Sequence, residues 1–289
     1  MLDERAGLGD RVAVVTGGAG GLGRDITLDL ARCGVRVAVC DRDQAAAEEI
    51  RHELAGSGTA ALVDVFDVRD AVALAGFFDR VDAELGAVDI LINVPGGSFM
   101  APVADLSSNA VAAVVAQNFG YVLESCRLAR SRMAARGRGS IVNVSSIEAH
   151  RAMPMMGIYG AMKAAVEHLT KTLAVEWGPE GIRVNAVAPD IFPTPATEHQ
   201  FGLAHGAELN DLDASIVVPL GRFGAGPELS GCVVFLASDL AAYVTGTTLH
   251  VDGGTHAASG WLRWPEGYRN RIPAEVLRTV AATTDDQRR

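Results

Sequence analysis

Short, β-branched apolar runs alternate along the chain with longer stretches in which alanine and leucine mix with charged residues. Val12–Thr16 precedes a helical stretch from about Leu22, Val35–Cys40 one from about Gln44, and Ala60–Asp64 one from about Asp70. The runs are apolar throughout, as strands are when helices cover both faces of a sheet. The pattern therefore predicts parallel βαβ units and an α/β fold with a doubly wound, Rossmann-type parallel sheet in a single domain. It continues through Val88–Asn93, a long helix around Leu123–Ala135, Ser140–Val144, a helix carrying Tyr159 and Lys163, and Ile182–Val187. A helix about Pro227–Ala237 and a strand about Thr248–Val251 close it.

Two segments break the rhythm. Residues 190–218 have little periodicity and mix prolines, Phe192, Phe201, His199 and His205 with acidic residues, which predicts a lid over the site. Residues 255–289 follow Val-Asp-Gly-Gly as an extension beyond a main unit of residues 1–254, and carry Trp261 and Trp264, two of three tryptophans. Tryptophans in a loose tail would leave apolar surface in water, so a groove, a neighbouring subunit, the lid or their own subunit is expected to cover them.

Of the 289 residues 49% are apolar, enough for a substantial core. The formal charge of −10 argues against nucleic acid or an anionic membrane as partner, because phosphate binding needs clustered cations. Arg127, Arg130, Arg132, Arg136 and Arg138 do cluster, and read as a solvated helix face and end. Cys33, Cys40, Cys126 and Cys232 are scattered through apolar elements with no Cys-x-x-Cys pair, so buried thiols, no metal centre and a reducing compartment are expected. No signal peptide or membrane span is recognisable, and a soluble cytoplasmic protein is the expectation.

Chemistry is concentrated in a few places. Gly18, Gly20 and Gly23 fit G-x-G-x-x-G directly after a strand and before a helix, the setting in which a glycine turn brings backbone N–H groups to a pyrophosphate. Asp41 ends the second strand, where a carboxylate accepts hydrogen bonds from ribose hydroxyls and repels a 2′-phosphate. That favours NAD over NADP, with Arg42 beside it as the group that could hold the 2′-phosphate instead. Tyr159 and Lys163 stand four apart on one helix face, so the ammonium is expected to draw the phenol pKa down from about 10 toward working pH. Ser146 follows a strand and can hold a substrate oxygen.

In these motifs the chain resembles the short-chain dehydrogenase/reductase family, in its shorter, classical branch. The resemblance implies the register Thr-Gly-x-x-x-Gly-x-Gly, with Gly17, Gly21, Leu22 and Gly23 at the cofactor. It also implies Asp67 and Val68 at the adenine, and Asn93 with Gly96 as the counterpart of the family's Asn-Asn-Ala-Gly loop, although Val94 and Pro95 depart from it. Pro189, Ile191 and Thr194 match the segment beside the nicotinamide, with Asp190 replacing a glycine. Ser146, thirteen residues before the tyrosine, is preferred to Ser145 as substrate-orienting serine, and Asn118 matches the asparagine of the proton relay.

The implied reaction is hydride transfer between NAD and an alcohol or ketone, with Tyr159 exchanging the proton and Lys163 binding the nicotinamide ribose. Glu148, His150, Arg151, Met153, Met155 and Met156 with Phe99, Met100, Phe192 and Phe201 suggest a hydrophobic secondary alcohol, cyclic or steroid-like ones included. A 3-oxoacyl thioester is the rival substrate, and a dinucleotide-sensing protein without turnover is the alternative of another class. The resemblance also implies a homo-oligomer, with a tetramer built on the Asn118–Arg136 and Tyr159–Trp177 helices.

Overall fold

The computed structural model describes residues 2–194, 197, 211–264, 267–271, 274, 276 and 278. After α1 (Leu2–Ala6) the chain alternates as its pattern demands: β1 (Val12–Thr16), α2 (Gly21–Arg32), β2 (Arg36–Asp41), α3 (Gln44–Ala55), β3 (Ala61–Val65), α4 (Ala71–Glu84) and β4 (Ile90–Asn93). Then come α5 (Ser108–Val115), α6 (Tyr121–Arg136), β5 (Gly139–Val144), α7 (Gly157–Trp177), β6 (Ile182–Pro189), a helix at Gly226–Ala237 and β7 (Thr248–Val251). Seven parallel strands lie in the order β3-β2-β1-β4-β5-β6-β7.

Side-chain alternation explains the continuous apolar runs. Val12 and Val14 enter the core shared with Phe77, Phe78, Tyr121 and Met133, while Ala13 and Val15 enter the opposite core with Ile26, Leu30, Leu229 and Leu236. Both faces of β1 are thus dry, and each large side chain buried there contributes about 1.5–3 kcal/mol. Asp43 and Asp70 cap α3 and α4 with side-chain oxygens on two backbone N–H groups each. Sheet order reverses between β1 and β4, and the crevice beyond their carboxyl ends is where ligands bind in such sheets.

Four expectations change in detail. The long helix is preceded by a π-helical turn, Ala116–Gly120, that holds Asn118, and α5 lies ahead of it, without the regular apolar spacing that would have shown it in sequence. Cys33 is exposed, because it caps the end of α2; Cys40 and Cys126 are buried and Cys232 is partly so. The arginine cluster is a set of ion pairs: Arg127 with Glu124, Arg130 with Glu180, Arg132 with Asp79 and Asp82, and Arg136 and Arg138 with the buried Asp89. Within the expected lid, Asp211–Val217 forms a helix, whereas His199, Phe201 and His205 lie outside the described residues.

Past β7, Thr255–Ala258 is a single helical turn, and Leu262–Trp264 pairs antiparallel with Gly267–Arg269. This hairpin packs against the Asp211–Val217 helix and leaves Trp261 half exposed. No helix among the described residues is long and apolar enough to cross a membrane.

Candidate active site

The turn between β1 and α2 is shaped by what its glycines lack. Gly17 has φ +62°, and a Cβ there would stand 2.6 Å from Pro95 Cγ. A Cβ on Gly23 would overlap the Gly17 carbonyl oxygen, so the helix can begin this close to the strand only without one. Gly20, at the N-cap of α2, has no side chain to occupy the first-turn N–H groups. Gly17, Gly18 and Gly23 therefore carry the close approaches, a Cβ on Gly18 standing 2.7 Å from Thr27 Oγ1, whereas Gly21 is called for by its positive φ.

In front of this turn lies a cavity of about 730 Å³, and a smaller one of about 450 Å³ adjoins it at Asp190 and Phe192. Gly17, Gly21, Leu22, Asp41 and Arg42 line the larger cavity from the β1 and β2 side, with Asp67, Val68, Gly96 and Thr194 on its other walls. Asp41 is held by two backbone donors, Ala19 N at 3.2 Å and Asp43 N at 3.2 Å. The Asp67 carboxylate is engaged by Arg69, which holds its pKa below the usual carboxylate value. Thr194 is tied to Thr197, whose hydroxyl accepts the Thr194 N–H at 2.7 Å. Glycine turn, open helix N-terminus, a carboxylate at the end of β2 and cavity volume together fit a dinucleotide.

Other residues singled out in the sequence stand behind the walls. Asn93 turns its side chain into the sheet, donating to Asn143 Oδ1 at 2.9 Å and accepting from Ser125 Oγ at 2.7 Å. It locks the ends of β4 and β5 and does not line the cavity. Gly23 lies beneath its turn, Pro189 is buried at the end of β6, and Ile191 lines the smaller cavity and accepts from Gly224 N. Pro95, noted in the sequence only as a departure from the family's loop, faces Gly17, and its carbonyl accepts from Tyr121 Oη at 2.8 Å. Sequence reading missed Ala19, whose N–H fixes Asp41 and which carries no side-chain signature.

Gly96 joins the cavity to the polar cluster. A Cβ there would stand 2.8 Å from Lys163 Nζ and 3.1 Å from Asn118 Oδ1. Asn118 is fully buried in its π turn, donating to the carbonyls of Gly97 and Val114 at 2.8 Å each and accepting from Gly97 N. Lys163 donates to the Val144 carbonyl at 2.8 Å and lies 5.6 Å from the centroid of the Tyr159 ring. Ser146 begins the turn after β5, and its hydroxyl accepts from Glu148 N.

The electrostatics correct one expectation. Burial raises the Tyr159 phenol above its ordinary value, a hydrogen bond with Ser146 pulls it back, and the charge of Glu148 raises it further. Lys163 does not bring it down; its own pKa is lowered by burial to about 8. The Tyr159–Lys163 spacing is as expected, but desolvation is the largest influence on both groups.

The loop after Ser146 is more polar than its methionines suggest. Arg151 bridges Glu148 at 2.8 Å and Asp190 at 3.0 Å, which answers why a carboxylate stands at the end of β6. Asp190 needs no left-handed backbone, since only Asp10, Met155 and Ser259 among described non-glycine residues have positive φ. Phe192 and Met156 are packed inside, whereas Phe99 and Met155 are exposed.

A family model described as enoyl-(acyl carrier protein) reductase matches residues 17–256. Over 247 residues the chain is 36% identical to D-threitol dehydrogenase of Mycolicibacterium smegmatis, covering 86% of this chain and 93% of the relative. The chain belongs to the short-chain dehydrogenase/reductase family. Gluconate 5-dehydrogenase of Gluconobacter oxydans is 34% identical, with 84% and 93% covered. A crystal structure of a gluconate 5-dehydrogenase from Burkholderia cenocepacia in complex with NADP and tartrate superposes with TM-score 0.81 at 32% identity, over 89% of this chain and 100% of that one. As a short-chain dehydrogenase/reductase, the protein is an NAD(P)-dependent oxidoreductase acting on alcohols.

Proposed function

We propose that the protein interconverts a secondary alcohol and its ketone, with Tyr159 exchanging the proton and NAD as the preferred cofactor. The observation that carries this reading is the position of Lys163 and Asn118 directly behind Gly96, on the wall of a cavity that the glycine turn also lines. The nicotinamide supplies the hydride acceptor or donor when bound.

The protein supplies the rest. Ser146 holds the substrate oxygen and shares a hydrogen bond with the Tyr159 hydroxyl. In the oxidising direction the phenolate removes the alcohol proton; in reduction the phenol returns it to the carbonyl oxygen. Lys163, anchored on Val144, offers donors to ribose hydroxyls, and Asn118 fixes the backbone of Gly97 beside it. Asp41 and the adjoining Arg42 face the adenosine end, where the oriented carboxylate supports NAD and disfavours a 2′-phosphate.

For the substrate, the charged mouth formed by Arg151, Glu148 and Asp190 supports a small hydroxylated alcohol, in keeping with the polyol and sugar-acid names of its relatives. The exposed Phe99 and Met155 favour a second reading, the hydrophobic cyclic alcohol. A panel of polyols, sugar acids, cyclic alcohols and 3-oxoacyl thioesters, assayed with NAD(H) and NADP(H), tests both. Highest kcat/KM with NAD and a polyol or sugar acid supports the reading; thioesters as best substrates would overturn it, and no turnover with any would point to a dinucleotide sensor.

A further inference from the structure

Three histidines that share no sequence motif meet beside the substrate loop. His150 ends the turn that begins at Ser146, His250 lies in β7, and His256 lies in the helical turn Thr255–Ala258. The His250 and His256 rings stack with centroids 4.3 Å apart and planes within 5° of parallel, and the His150 centroid is 4.7 Å and 4.9 Å from theirs. One nitrogen from each ring can be chosen so that all three lie within 4.8 Å of one another.

Two further observations separate this cluster from ordinary ring packing. His250 Nε2 is buried without a hydrogen-bond partner, an arrangement that is destabilising unless something else satisfies it. His150 Nε2 is 3.0 Å from Glu167 Oε2, and the buried Glu167 is itself held by Ser145 Oγ at 2.8 Å. A carboxylate on one ring nitrogen of an imidazole, leaving the other for a ligand, is the outer arrangement that orients metal-binding histidines.

We propose that His150, His250 and His256 bind a divalent first-row transition cation of the zinc type, with Glu167 orienting His150 and a fourth position open to water. Three imidazoles with no hard oxygen donor suit zinc, cobalt or nickel, and not magnesium or calcium. A tetrahedral site with metal–nitrogen bonds of about 2.0 Å needs nitrogens about 3.3 Å apart, so the nitrogens close by about 1.5 Å at most and the stacked His250 and His256 rings turn out of parallel to bring their in-plane lone pairs onto the cation. His150 and His256 are solvent-facing and have room for that movement. The bound cation ties the loop of Ser146 to β7 and to the first turn of the C-terminal extension, three segments that a parallel sheet brings to one end.

The test uses the full chain without any histidine tag, freed of metal by a chelator. Cobalt(II) is added and followed by visible absorption, and zinc by calorimetry, with magnesium and calcium in parallel; none of these readouts depends on turnover. The expected result is one equivalent of cobalt with the intense visible band of a low-coordinate site, displaced by zinc and untouched by magnesium or calcium. His256→Gln and His150→Gln should each weaken binding at least ~10-fold, and Glu167→Gln about 10-fold. Zinc should raise the Tm of the parent and not of His256→Gln, whose metal-free Tm reports whether that variant folds. Absence of saturable binding, or binding as tight as the parent's in either histidine variant, would overturn the site.

Discussion

Lys163 is almost wholly buried, and its ammonium has the Val144 carbonyl as its hydrogen-bond acceptor. The folded chain releases this proton near pH 8, whereas the unfolded chain holds it to 10.5. Between those values the unfolded state binds more protons, so stability rises with pH through that window. Denaturant unfolding of the cofactor-free protein should therefore rise in free energy across the window relative to Lys163→Met, by roughly 3 kcal/mol in total. Parallel curves for parent and variant would contradict it. Tyr159 moves the other way: because its phenol pKa is raised, oxidation should accelerate as pH climbs toward alkaline values while reduction slows, as paired pH–rate profiles would record. At Asp41 the expected effect is on cofactor choice. Asp41→Ala should lower kcat/KM for NAD ~10- to 100-fold by removing charged hydrogen-bond acceptors, while leaving NADP unchanged or improved. A parent enzyme that prefers NADP would mean that Arg42 dominates.

Among the elements, the β1–α2 turn is the one with least tolerance. Gly23→Ala forces the new methyl group into the Gly17 carbonyl, so the turn must open; calorimetry should show cofactor affinity lost and stability lowered by about 1–3 kcal/mol. Unchanged binding would show that the turn can yield. This turn and the strands were legible in sequence because each rests on local chemistry: β-branched runs dry on both faces, and glycines at fixed spacing. Asn118 was legible as a candidate but its π turn was not, since one extra residue in a helical turn leaves no periodic mark. The direction of the Asn93 side chain was not legible, because a strand's sequence does not say which way its last side chain points; Asn143 and Ser125 decide that from other elements. The Tyr159–Lys163 spacing was readable, whereas the burial that sets both pKa values depends on β5 and Gly96. His150, His250 and His256 lie up to about a hundred residues apart, and only the sheet joins them.

For the whole molecule, the proposed assembly is a tetramer built on α6 with its preceding turn and on α7. Light scattering at micromolar concentration should return the tetramer mass, and a monomer would refute it. The C-terminal hairpin leaves Trp261, Tyr268 and the neighbouring Leu220 substantially exposed, an apolar surface expected to be covered in the assembly or over the substrate. Truncation after Gly254 should then reduce the oligomer or raise KM, and unchanged mass, KM and kcat would leave the hairpin without either role. The central claim is that Tyr159 moves the proton while the glycine turn, Asp41 and Lys163 hold the cofactor. The most direct measurement is turnover of Tyr159→Phe beside its NAD affinity. The account predicts a loss of at least ~10²–10⁴-fold in kcat with affinity near that of the parent; near-normal turnover would contradict it.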